Sequence, residues 1–440
     1  MDTATAAKSE NFHPSKGEVL NDSATRQPPR FVKGGFEINW ISTLIIILPP
    51  LAVIAAVCFG VPYYFRTVVV AFVFFWIGGL GVTMGYHRLY AHRSYSAHWL
   101  LEAALAFMGS GAFQGSILWW GRNHRIHHRY IDTDKDPYNA KRGFWYSHLG
   151  WMIMKQDYSV LGHADVSDLK ANKIVMFQHR HYFHLAFLSG IILPTLICGL
   201  GWGDWLGGYF YAGLLKLVLL HHATFFINSL AHSPLFGNQN FSDEHTSHDS
   251  FICALLTFGE GYHNFHHEFA QDYRNGIKWY HWDPAKWFIR LSEFAGLASR
   301  LVRVPNDIIS GNFYKLKHKK LVQETVDVLA KITAIENKVP VTEEYDWEQF
   351  LAEVKNGRKL MIIGEFVLDL EKPIPTGAGY SHKNKELIWY NEHPGGKKVL
   401  SMFVGKDATQ AFNGGVYKHS IGARNVIQHL KVAKIKKYTT

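Results

Sequence analysis

The 440 residues exceed what one ordinary domain needs, and a 48% hydrophobic share beside a mean hydropathy near zero implies very apolar segments joined to very polar ones. The net charge of +10, with no nucleic-acid module in the chain, excludes nucleic acid as the expected partner and turns the basic excess toward anionic headgroups or a phosphorylated substrate. Cys58, Cys198 and Cys253 lie in or beside apolar runs without CxxC spacing, which excludes a disulfide framework.

Residues 1–35 are polar, rich in Ser, Pro and Lys, and read as a disordered tail without a cleavable signal peptide. Ile38 to Tyr64 carries no charge. A hydrocarbon core of ~30 Å takes about 20 apolar residues in a helix, so this run is long enough to span, with Pro49-Pro50 as a candidate kink. Thr67 to Tyr86, Tyr182 to Gly203 and Trp205 to Ala231 are three further spans, the last interrupted only by Lys216. The connectors at Val61–Arg66 and Gly203–Trp205 are short, which predicts two transmembrane hairpins. Trp99 to Trp120 is apolar too. If it crossed, the histidines on either side of it would be separated by the membrane, so it reads as a re-entrant or interfacial helix. The loop 88–180 holds twelve Lys and Arg residues, which places it and both termini in the cytosol by the positive-inside rule. Trp279, Tyr280, Trp282 and Trp287 suit a membrane interface. The expected boundaries are a membrane domain over 36–305, a linker helix over 306–341, and a second, soluble domain over 342–440. That last domain is expected to have a helix at Trp347–Lys355 and a strand at Leu360–Asp369.

With 26 residues, histidine is the outlier of the composition. His87 and His92 close the second span. His124, His127 and His128 form one HxxHH, and His263, His266 and His267 form another. The spacing i, i+3, i+4 puts three imidazoles on one helical face. Neutral imidazole ligates iron, copper, zinc and nickel, and eight converging rings exceed what one ion needs, so two ions are implied. Asn228 and His232 lie one turn apart near the end of the fourth span, with His232 a candidate ninth ligand and Asn228 a hydrogen-bond partner for a metal-bound water. His221 and His222 match no cluster and read as satisfied helix histidines. His179, His181 and His184 read as membrane-surface residues.

HRLYAH, HRIHH and HNFHH, in this order and with these hydrophobic spacers, resemble the membrane fatty-acyl desaturases. The flanking Gly85-Tyr86-His87-Arg88, Asp136-Pro137-Tyr138-Asn139, Asn228–His232 and Gly259-Glu260-Gly261-Tyr262-His263 are similar to the acyl-CoA Δ9 desaturases of the stearoyl-CoA type, over about residues 36–300. The resemblance implies two non-haem iron ions held by His87, His92, His124, His127, His128, His232, His263, His266 and His267, with Asn228 acting through a water. It also implies a bent acyl tunnel kinked at Trp120 and Thr224 and closed by Phe75 and Gly79, with coenzyme A contacts at Arg122 and Asn123. Removing two hydrogens from unactivated adjacent carbons takes an O2-derived oxidant made at a redox metal, and so an electron donor. Zinc fits imidazoles but cannot supply that chemistry.

The second domain carries His393-Pro-Gly-Gly396, Gly405-Lys-Asp-Ala-Thr409 and Tyr417-Lys-His419-Ser420, which resemble a cytochrome b5 domain. That family implies a b-type haem between His393 and His419, and bis-histidine ligation suits electron transfer rather than O2 binding. Asp369 and His393 are further apart than the family pattern, and the extra stretch near 373–389 reads as a surface loop. The expected fold class is therefore an all-α integral membrane domain of four transmembrane helices with a cytosolic helical cap carrying the di-metal centre, followed by a small α+β cytochrome b5-like domain. The expected function is O2-dependent conversion of stearoyl- or palmitoyl-CoA to the cis-Δ9 acyl-CoA in the endoplasmic reticulum membrane. Electrons come from NADH through NADH-cytochrome b5 reductase, and membrane lipids are further partners. The alternatives are a di-iron hydroxylase or sphingolipid-type desaturase, and a histidine-rich metal transporter.

Overall fold

The computed structural model describes residues 37–336, 341–375, 386–415 and 419–436, and the chain divides into two compact units, Met1–His318 and Lys319–Thr440. The segment 1–35, read above as a tail, lies outside the described residues.

Four helices in the first unit are long and apolar enough to cross a membrane: Trp40–Cys58, Phe65–Ala91, Tyr182–Trp202 and Trp205–His232. The first runs unbroken through Pro49 and Pro50. Its large side chains stay exposed, among them Leu44, Leu48, Leu51 and Ile54, as expected of a surface whose solvent is lipid. The helix Trp99–Ser110 has 12 residues, about 18 Å at 1.5 Å per residue, too short to cross.

Two charged side chains at these spans are paired. Asp204, in the turn between the third and fourth of these helices, accepts from Thr67 (2.5 Å) and from Gly207 N–H (2.9 Å). Lys216 is buried, and its Nζ donates to the carbonyls of Gly190 (2.8 Å) and Gly111 (3.4 Å). Both acceptors lie where regular helix bonding is interrupted: Gly190 within a stretch of wide, i→i+5 turns at Leu188–Ile192, and Gly111 at the end of Trp99–Ser110. The ammonium thus satisfies carbonyls that helix bonding leaves open.

In the second unit a four-stranded sheet runs in the order Glu344–Tyr345, Lys431–Ile435, Phe366–Asp369, Leu360–Ile363. The expected strand Leu360–Asp369 is thus two strands. Gly364, at φ +65°, turns the chain into an antiparallel hairpin with Ile363 opposite Phe366. The helix Trp347–Lys355 starts at a capping box, with Asp346 accepting from Gln349 N–H and the Gln349 side chain accepting from Asp346 N–H. The stretch near 373–389 is not simply a loop. Its ends, Pro373–Pro375 and Glu386–Ile388, pair as an antiparallel ladder, while 376–385 lie outside the described residues. The helix Asn306–Glu336 runs through the division between the units.

Candidate metal centre and haem cleft

The second span prepares the first histidine pair. Over Gly81–Ala91 its turns widen, and the His92 N–H bonds to His87 O, five residues back (3.0 Å). On a regular α-helix two residues five apart diverge by about 140° at ~100° per residue. The wide turns bring the rings together instead, with centroids 4.8 Å apart, and such turns recur at functional sites.

The first HxxHH sits on the helix Ile117–Tyr130, capped by Ser116. The second sits on the six-residue helix His263–Glu268. A helix this short does not hold itself together in isolation, so side chains pin it. Asp249 Oδ1 accepts Phe265 N–H (3.0 Å). The fully buried Asn264 accepts the N–H groups of Asn240, Phe241 and Ser242 and donates to the carbonyls of Ser242 and Ser247.

The nine histidines converge as two groups. His87, His92, His124, His128 and His266 form one, and His127, His232, His263 and His267 form the other; within each group the ligand atoms lie within 4.8 Å of one another. Each HxxHH is therefore divided. The i, i+4 pairs His124/His128 and His263/His267 stay together, and the remaining histidine of each motif crosses to the opposite group. The Nε2 atoms meet tip to tip: His87–His266 and His128–His266 at 3.0 Å, His92–His124 at 2.8 Å, His232–His263 at 3.1 Å, His263–His267 at 3.0 Å, and His127–His267 at 3.2 Å. Donors held ~2.1 Å from an ion at right angles lie about 3.0 Å apart, so these separations fit imidazoles sharing a metal.

The Nδ1 side of the rings supports the same conclusion. His87 Nδ1 meets Glu260 Oε2 at 2.9 Å, and His127 Nδ1 meets both oxygens of Asp136 at 2.9 and 3.0 Å. His232 Nδ1 meets Thr246 Oγ1 at 2.9 Å, and that hydroxyl donates to Asp132 Oδ1 at 2.7 Å, so it must accept from the ring. In all three the ring proton is on Nδ1 and the lone pair faces the cluster, which is the tautomer a metal requires. Glu260 is itself held by Arg88 (2.9 Å) and Asn275 (2.5 Å), and Arg88 also bridges to Asp283. Burial opposes the Glu260 charge, but His87 and Arg88 outweigh it and hold the carboxyl down at about 2. Burial, reinforced by neighbouring imidazoles, pushes His124, His128, His263, His266 and His267 well below the ordinary histidine range and keeps them neutral, the ligating form.

Two narrow, mostly apolar cavities share Gln114, Trp120, His124, Thr224 and Asn228. One runs from His87 and His263 toward Gly79 and Phe258, and the other toward Ile45, Ile46 and Trp151. At their junction Trp120 stacks on His124 (4.7 Å between centroids), and Thr224 accepts from Gln114 (2.7 Å). Phe75 packs on Phe258 at 4.9 Å. Arg122 lies over the Tyr158 ring. Asn123 is only 2% exposed, with a carbonyl oxygen lacking a partner among the described residues, so any headgroup contact must reach it below the surface. His222 is not self-contained in its helix: its Nδ1 meets Nε2 of His148 (3.0 Å), whose Nδ1 meets Ser229 (2.9 Å). His221 lines the second cavity.

In the second unit, His393 and His419 face each other across an apolar cleft of about 670 Å³. Their centroids are 6.2 Å apart, close to the ~6 Å that two axial imidazoles on one iron require. His419 Nδ1 bonds to Phe412 O (3.0 Å), which turns its Nε2 lone pair outward. His393 is set differently. Its Nδ1 accepts Gly395 N–H (3.1 Å), a contact that ligation through Nε2 must exchange for an Nδ1–H donor contact.

Residues 35–295 match the model of the fatty acid desaturase family. The chain belongs to that family. This makes the desaturase an oxidoreductase, and its four long apolar helices make it a multi-pass membrane protein. Residues 388–436 match the cytochrome b5-like haem/steroid binding domain, which supports haem binding by this unit. A probable acyl-CoA desaturase of Schizosaccharomyces pombe is 45% identical over 405 residues, 91% of this chain and 78% of that protein. Acyl-CoA desaturase 1 of Saccharomyces cerevisiae is 42% identical over 403 residues, 91% and 74% respectively. Human stearoyl-CoA desaturase 5 is 37% identical over 247 residues, 55% of this chain and 74% of that one.

The groups behind the ring Nδ1 atoms are only partly legible in the sequence. Glu260 and Asp136 stand in the motifs that flank the histidines, but Asp132, Thr246 and Asn275 occur in no motif.

Proposed function

We propose that the chain is an acyl-CoA Δ9 desaturase of the endoplasmic reticulum membrane with both termini in the cytosol. It converts stearoyl- or palmitoyl-CoA to the cis-Δ9 product, using O2 and two electrons from NADH by way of NADH-cytochrome b5 reductase and the fused haem domain. The observation that carries this reading is the pair of Nε2 groups, tips 2.8–3.2 Å apart, with His87, His124 and His263 among the lining of two mostly apolar cavities that share Trp120 and Thr224. The acyl-CoA relatives support the substrate class.

His87, His92, His124, His128 and His266 would hold one iron, and His127, His232, His263 and His267 the other, with Asn228 acting through a water. When bound, the irons supply the O2-derived oxidant that the C–H bonds require. The protein's own residues do the positioning. Glu260, Asp136 and Thr246 fix ring tautomers, while Trp120 and the Gln114–Thr224 bond shape the bend that selects one carbon pair. Apolar walls exclude water from the reacting carbons. Arg122 and Asn123 are assigned to the coenzyme A end, and Phe75 and Gly79 to the distal end.

The test is product analysis after incubating iron-loaded protein with stearoyl-CoA, NADH, reductase and O2. The expected product is the cis-9 monoene with no added oxygen. A hydroxylated acyl chain would move the assignment to a hydroxylase, and no product from haem-replete, iron-loaded protein would overturn the reading.

A further inference from the structure

Beside Gly79 the cavity is lined by a side chain that the family resemblance does not name, Phe258. Gly79 lies eight residues before His87 on the second span. A Cβ at Gly79 would come within 2.3, 2.5 and 2.6 Å of Cζ, Cε2 and Cε1 of Phe258, so the glycine is the seat of that ring. The ring is 6% exposed, packs on Phe75 (4.9 Å) and edge-on against Trp76 (5.1 Å), and lines the cavity that also holds His87, His124 and Thr224. The neighbouring Gly78 seats Leu220 in the same way, with a Cβ there 2.8 Å from Cδ1.

The backbone beneath Phe258 is unusual. Its φ is +57°, a region bulky residues seldom adopt and one that persists only where the surroundings impose it. Two residues later, Glu260 reaches His87. A single turn thus delivers both the carboxylate that orients the His87 ring and an aromatic ring that lines the same cavity.

We propose that Phe258, seated on Gly79, is the chain-length stop: its ring sets how many carbons beyond the reacting pair the tunnel accepts. The proposal rests on the acyl-CoA reading above. Phe258 touches the acyl terminus rather than the reacting atoms and is a specificity-determining residue.

The experiment is a competition assay on the full-length, iron- and haem-loaded protein with equimolar myristoyl-, palmitoyl-, stearoyl- and arachidoyl-CoA, reading the ratio of long to short monoenes. Phe258→Ala is expected to raise the long-to-short ratio about tenfold or more, since a methylene's worth of pocket changes selectivity by about 10–200-fold. Phe258→Leu should shift it in the same direction by less, and serves if the alanine variant does not fold. Gly79→Ala, whose methyl cannot coexist with the seated ring, should change the ratio in the parent and much less in the Phe258→Ala background. Val73→Ala, at an exposed position on the same span, should leave the ratio unchanged. Active Phe258 variants with the parent's ratio would overturn the proposal while leaving the desaturase reading intact. Failure of the parent on every acyl-CoA would overturn the reading and the proposal with it.

Discussion

Nδ1 of His87 lies 2.9 Å from Oε2 of Glu260, and both groups are almost fully buried. The carboxylate accepts the hydrogen bond from the ring's Nδ1–H, leaving Nε2 as a lone-pair donor 3.0 Å from Nε2 of His266. It is fixed in turn by Arg88 and Asn275. Replacing Glu260 by Ala removes an outer partner of the kind whose loss costs about 10–100-fold in metal affinity. It also leaves Arg88 buried with Asp283 as its remaining ion-pair partner. Competition of the purified variant against a chelator of known affinity should show that loss, with Glu260→Gln falling between it and the parent. Parent-like retention in both variants would contradict the role.

The second group depends on a different relay, from His232 through Thr246 to Asp132. Thr246→Val keeps the side-chain shape but removes the oxygen that accepts from His232. The expected result is selective weakening at the His127, His232, His263, His267 group. Metal analysis after mild chelation should then give about one ion per chain, against two for the parent. Equal loss from both groups would mean the relay does not act locally.

Thr224 and Gln114 fix the junction of the two cavities through one 2.7 Å bond. Gln114 Oε1 already lacks a partner among the described residues. Thr224→Val therefore strands the amide, at a cost of about 1–3 kcal/mol. The measurements are thermal unfolding and double-bond position in the product. The variant should unfold at lower temperature and give a broader distribution of positional isomers, whereas a lowered midpoint with unchanged regiochemistry would assign the pair a purely structural role.

Lys286 gives a pH signature outside the membrane spans. It is 5% exposed, and its Nζ donates to the carbonyls of Gly276, Lys278 and His281. Burial lowers its pKa to about 8. The unfolded lysine keeps its proton to about 10.4, so between those values the folded state binds fewer protons and this group's contribution to stability rises with pH. The stability difference between the parent and Lys286→Met should shift in the parent's favour from pH 7 to 10. A constant difference would show that the ammonium stays charged in the fold.

How much of this was readable from sequence depends on the range of each interaction. The HxxHH motifs were legible because i, i+3, i+4 spacing declares a shared helical face. Their division into two groups was not, since it depends on where His87, His92 and His232 arrive from other elements. Glu260 and Arg88 are 172 residues apart, and Thr246 and Asp132 are 114 apart, so neither pair leaves a local pattern. The same holds for His222 with His148, 74 residues away. The four spans were legible from uncharged runs. The widened turns that aim His87 and His92 were not, because they follow from packing rather than composition. In the second unit the pattern of Leu360–Asp369 suggested one strand, and the turn at Gly364 makes it two.

The most direct test of the central claim is a titration of ferrous iron into metal-free, haem-replete protein, followed by measurement of monoene formed from stearoyl-CoA at each ratio. Two histidine groups acting as one oxidising centre predict negligible product at low occupancy and a plateau reached at two irons per chain. A plateau at one iron per chain, or full activity in the metal-free protein, would contradict the di-iron account.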